Sequence, residues 1–186
     1  MLKGLILRRL DTLERKLGSS LDYLRYMVRV STRGFFRFMK FIPMAERNFL
    51  PADAYYVARI VASRDAGCGS CVETEVSLAN ADGVDREVLA ATLSGNVVDL
   101  PERLADVYVF TESVLRMTGD EEPLREKLRM WYREEGVVEL ALAIAASRVF
   151  PVVKRTLGFA KSCRFVPRGV GPGWRAPAQV RSQPRC

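Results

Sequence analysis

The chain has 186 residues, enough for one substantial hydrophobic core with appendages. Its composition, 48% hydrophobic and 27% charged, excludes fibrous, collagenous and low-complexity classes, and the lack of any histidine removes imidazole both as acid–base catalyst and as metal ligand. The net charge of +7 suggests nucleic acid until it is located: residues 1–47 carry 11 basic against 4 acidic groups, 48–166 carry 14 against 18, and 167–186 carry 4 against none. The middle of the chain is thus mildly acidic and the positive excess lies at the ends, so no nucleic-acid partner is expected.

In chain order, Leu2, Leu5, Ile6, Leu10, Leu13 and Leu17 recur at the spacing of one helical stripe, and Gly18 follows as a stop. No small-residue cleavage site succeeds this basic start, so it is not read as a signal peptide. Ser19 or Ser20 can cap a second helix through Leu21, Leu24, Met27 and Val28. In RGFFRFMKFI, Arg33, Arg37 and Lys40 share one face while Phe35, Phe38, Met39 and Ile42 fall largely on another. This predicts a helix packed on the core or on a second subunit, in preference to one lying on a membrane surface.

Pro43 and Pro51 punctuate the next turn, and Asp53 to Asp65 forms a strongly apolar helix. A helix from the CGSC element to about Asp82 ends at Gly83, and another opens at Asp85, its expected N-cap, and runs to Leu93. Pro101, suited to a first turn, starts a longer helix through Arg116. Asp120 is expected to cap a helix from Glu121 to Glu135 that Gly136 breaks. Val137 to Phe150 is apolar nearly all round, as a central buried helix is, and Pro151 kinks or restarts the chain towards Cys163.

No sustained apolar–polar alternation appears, so the expected class is all-α. The expected organisation is an N-terminal helical extension over 1–47, a multi-helix domain over 48–166 and an extended or disordered arm over 167–186. The longest apolar run, Leu140 to Ala146, is far short of the ~20 residues that span a bilayer, so no stable membrane insertion and a cytoplasmic location are expected.

The chemistry concentrates in RDAGCGSCVETEV, Arg64 to Val76. Cys68 and Cys71, one helical turn apart, can close a disulfide, and a helix N-terminus favours a thiolate. Gly67 and Gly69 allow a tight bend. Glu75 lies a further turn along, on the same face, where a carboxylate can take or return a proton. Three readings stand: a redox centre, half of a metal site, or two small buried residues. Zinc would need Cys163 and Cys186 to converge with Glu75, since no second CxxC exists. No cofactor motif is present, neither a glycine-rich phosphate loop nor a dinucleotide fingerprint.

An apolar helix, a Gly-Cys-x-x-Cys turn and a helix closing at ANADGVD, followed by REVLAATLSG, PERLADVYVFTESVLRM and VVELALAIAASRVFPVVKRTLGF, resemble the alkyl hydroperoxidase D-like branch of the carboxymuconolactone decarboxylase superfamily. The resemblance covers about Pro51 to Cys163. It implies a homo-oligomer (dimer, trimer or hexamer), a peroxide substrate and an external dithiol reductant. It also implies Cys71 as the peroxidatic thiol and Cys68 as its resolving partner. Where the family motif has a histidine this chain has Glu75, and where it has a glutamate this chain has Tyr56. The implied function is thus a thiol-dependent peroxidase or disulfide-exchange protein, with Cys71, Cys68, Glu75 and Tyr56 as its site. The alternative is a non-catalytic redox sensor or assembly module that kept the fold and lost the proton relay.

Overall fold

A computed structural model describes residues 2–160. Among them are eight α-helices and no strand: α1 (Leu2–Leu17), α2 (Asp22–Val30), α3 (Thr32–Met39), α4 (Ala52–Asp65), α5 (Gly69–Ala81), α6 (Arg86–Ser94), α7 (Glu102–Arg116) and α8 (Glu121–Thr156). The all-α expectation holds for these residues. Cys163, Cys186 and the arm from 167 lie outside them.

Two hydrophobic clusters organise the helices. The larger is built on α4, whose residues Ala54 to Ser63 are all buried, with α5, α6, α7 and the middle of α8 packed around it. The smaller gathers Leu10, Leu21, Tyr23, Leu24, Val28, Phe35 and Phe38 from α1–α3. It is closed by Val149, Phe150 and Val153 of α8. Phe38 meets Tyr23 edge-on at 6.1 Å and Phe150 at 5.2 Å between ring centroids, while Phe36 and Phe41 stay exposed. Phe35 and Phe38 therefore sit inside the protein, which fits the expectation of a helix packed on the core.

Two of the described helices begin with a side-chain cap. Asp85 caps α6 by accepting from the Glu87 N–H, and Ser31 caps α3 by accepting from the Gly34 N–H. Ser20 accepts from the Asp22 N–H at the start of α2, whereas Ser19 bonds Thr74 of α5 at 2.6 Å and ties the two layers together. Pro101 is the N-cap of α7 rather than a first-turn residue. Asp120 makes no side-chain cap; Glu121 instead accepts from Ser113 Oγ and the Gly119 N–H.

The greatest departure is α8. The expected break at Gly136 lies three residues earlier, at Arg133, which has φ 62° and ψ 178°. This is backbone that non-glycine residues rarely adopt. Gly136 is helical and serves close approach: a Cβ there would stand 2.6 Å from Tyr132 Cβ. Pro151 does not restart the helix, which runs through it to Thr156. By length and composition α8 could cross a membrane, yet Leu140, Ala143 and Ile144 belong to the protein core.

α8 also fastens the entry to α4. Glu139, buried, accepts hydrogen bonds from three successive backbone N–H groups, those of Asn48, Phe49 (2.9 Å) and Leu50 (2.6 Å). Backbone donors ahead of a helix have no intrahelical partner, so a carboxylate replaces water there.

Candidate thiol site and its cavity

The cysteine turn leaves α4 through Ala66 and Gly67, and Gly67 has φ 65°, the left-handed backbone its lack of a Cβ allows. Gly69 is simply the first residue of α5 and needs no such freedom. Cys68 stands at the N-cap of α5, its carbonyl accepting from the Cys71 and Val72 N–H groups. The two sulfurs are joined as a disulfide, S–S 2.10 Å with the Cα atoms 5.2 Å apart, and each residue is only 5% exposed.

The C-terminal part of α8 clamps this turn. Arg148 donates to Asp65, Arg155 Nη2 to the Ala66 carbonyl at 3.1 Å, and Lys154 Nζ to Ser70 Oγ at 3.1 Å. The same Lys154 Nζ lies 3.5 Å from Cys71 Sγ and 5.0 Å from the centre of the Tyr23 ring. Lys154 is 5% exposed, and burial pulls its ammonium down from the usual lysine range to about 8, with Glu75 and Glu73 pulling the other way.

Glu75 does sit one turn beyond Cys71 on the cavity side, but it is not alone there. Arg59 of α4 grips it with two parallel hydrogen bonds, Nε to Oε2 and Nη2 to Oε1, both 2.7 Å. Both partners are buried, and the Tyr55 ring lies 5.0 Å from the guanidinium carbon. Tyr56 points elsewhere. Its hydroxyl donates to Asp82 at 2.8 Å, beyond the far end of α5, and burial, followed by that bond, raises its pKa. The structure thus joins Cys68 to Cys71 and places Glu75 beside Cys71, while Tyr56 stands apart from them.

Above these groups lies a cavity of about 310 Å³ at the seam between the two hydrophobic clusters. Cys71, Glu75, Arg59 and Lys154 form its polar end, and Leu17, Leu24, Met39, Ile42 and Phe150 are among its apolar walls. Cys68 is not among the lining residues. The segment read as an extension, α1–α3, therefore supplies much of the wall.

Sequence reasoning missed Arg59 and Lys154. The first comes from the preceding helix and the second lies 83 residues beyond Cys71, so only the folded chain brings them together. A signal was present in both cases. Arg59 is the only charged residue among Ala54–Ala62, and Lys154 ends the apolar run from Val149 to Val153. A lone cation on a face bound for the interior is costly unless paired or used. Comparison of the chain with models of known protein families, with curated proteins and with solved structures gave no match to any of them.

Proposed function

We propose that this protein is a thiol-dependent peroxidase or disulfide-exchange protein of the alkyl hydroperoxidase D-like kind, acting through the Cys68–Cys71 pair. One observation carries the reading: of the two sulfurs, Cys71 belongs to the cavity wall and has an ammonium 3.5 Å away, while Cys68 does not line the cavity. In the reduced protein Lys154 and the start of α5 would favour the Cys71 thiolate.

The Cys71 thiolate attacks the terminal oxygen of a hydroperoxide, the O–O bond breaks, and the leaving alkoxide takes a proton from Lys154 to depart as an alcohol. Cys71 is then a sulfenic acid, and attack by Cys68 releases water and forms the disulfide. An external dithiol, oxidised in turn, returns both thiols. Glu75 holds Arg59 in place and, through its charge, supports protonation of Lys154. Tyr56 braces the end of α5 on Asp82. A cytoplasmic location and a homo-oligomeric state belong to the same proposal. The exposed row Val138, Leu142 and Val152 on α8 supports the latter, and light scattering of a Val138→Lys/Leu142→Lys pair tests it by loss of mass.

The second reading is a redox module without turnover. It is favoured by Glu75 having both oxygens occupied by Arg59, which leaves no free carboxylate as a relay. Stopped-flow oxidation of the reduced protein by hydrogen peroxide and by an organic hydroperoxide separates the two. Fast thiol loss in wild type, a trapped sulfenic acid in Cys68→Ser and no reaction in Cys71→Ser are expected. Thiols that react no faster than free cysteine leave only the second reading.

A further inference from the structure

The cavity carries more positive charge than the cysteine pair uses. Its polar end presents two cations, Arg59 and Lys154, against one carboxylate, Glu75. The tyrosine beside Lys154, Tyr23, is neutral, its hydroxyl pKa raised by burial. Arg59 is 7% exposed, and its Nη1 is buried with no hydrogen-bond partner among the described residues. Glu75 matches the charge of Arg59, so the buried Lys154 ammonium has no ion-pair partner among the described residues, and a buried charge left unmatched is unfavourable until an opposite charge joins it. The remaining wall is apolar, and at a water's share of roughly 30 Å³ per heavy atom the volume holds about ten such atoms. Leu13 lines both this cavity and a surface depression formed by Arg8, Arg9, Thr12 and Lys16. A basic surface depression and the cavity are thus neighbours across Leu13.

We propose that the cavity binds a straight-chain carboxylate of about ten heavy atoms, its head group at Lys154 and Arg59 and its chain along Leu17, Leu24, Met39 and Phe150. The buried pair holds the head group. Binding needs no thiol chemistry and does not rest on the peroxidase reading.

The test is calorimetry on the full chain in its disulfide form, with octanoate, octanol and acetate as probes. Octanoate should bind saturably at one site with Kd of about 100 µM or tighter. Octanol should bind at least tenfold more weakly, and acetate should give no saturable heat. Lys154→Met should weaken octanoate at least tenfold and leave octanol unchanged, with Lys154→Arg restoring binding. Met39→Trp, which fills the cavity, should abolish binding of both long-chain probes.

No saturable heat with octanoate overturns the proposal. So does octanol binding as tightly as octanoate, or unchanged octanoate affinity in both Lys154→Met and Met39→Trp. A silent calorimeter beside fast thiol oxidation leaves the chemistry standing without this ligand. Tight octanoate binding beside inert thiols leaves the ligand site standing without the chemistry.

Discussion

In α4 ten successive residues are buried, whereas in α1 only Leu10 is. The cluster around α4 is enclosed on all sides, and its stability comes from close packing, which tolerates few changes. The layer of α1–α3 is amphipathic, half in water, and depends on Phe150 and Val153 of α8 to finish its core. The cavity lies between the two, so the tightly packed region fixes the cysteine turn while the thinner layer forms much of the apolar wall. Positioning of the thiols and enclosure of the cavity are thereby divided between two regions of different burial.

The largest expected effect probes what joins the regions. Glu139→Ala removes three charge-assisted hydrogen bonds, one of them to the N–H of buried Leu50, and should cost about 3–6 kcal/mol in chemical denaturation. Because α8 serves both cores, the loss should appear as one shifted transition; separate unfolding of the two regions would break the picture of a shared helix. Phe38→Ser removes the centre of the smaller core and should cost about 3–5 kcal/mol. Its mass in light scattering should not change, and a change of mass would place Phe38 between subunits.

Lys154→Met should act in the opposite direction on stability. Burial holds the folded ammonium at about 8, against 10.5 for an unperturbed lysine. Between these values the unfolded chain binds the extra proton, so this group's contribution to stability rises with pH across that window. The groups facing it are Tyr23 of α2, Ser70, Cys71, Glu73 and Glu75 of α5, and Glu75's partner Arg59 of α4. Replacing it should stabilise the protein by about 1–3 kcal/mol at pH 7, flatten the rise of Tm above pH 8 and slow Cys71 oxidation at least tenfold. A variant that is less stable and equally reactive would make Lys154 a packing residue. The smallest effect belongs to Arg133→Gly, which relieves the positive φ at an exposed side chain and should gain about 1 kcal/mol in a melting experiment.

Local signals made α1 to α7 legible within a residue or two, because stripes, caps and glycine stops act over one turn. They failed in α8. There tertiary packing carries the helix through Pro151, and the close approach of Gly136 to Tyr132 moves the break to Arg133. At the site, CGSC and Glu75 were readable because their spacing is local. Arg59 and Lys154 were not, since their meaning depends on contacts across 16 and 83 residues. The boundary near 47 was also drawn from charge. Charge reports the solvent face of α1–α3 and is silent about the inner face that lines the cavity.

The Glu139 anchor has a consequence for how the chain is made. Its partners lie 89 to 91 residues upstream, and the smaller core waits for Phe150. While the chain is being synthesised, α1–α3 and the start of α4 emerge well before the α8 residues that complete their packing, and lack those partners until the segment beyond residue 150 is released. The part of the α1–α3 faces that Val149, Phe150 and Val153 cover must therefore stay open until then. Nascent chains halted before Glu139 should be protease-sensitive throughout, with protection arriving at once, in both regions, when α8 is complete.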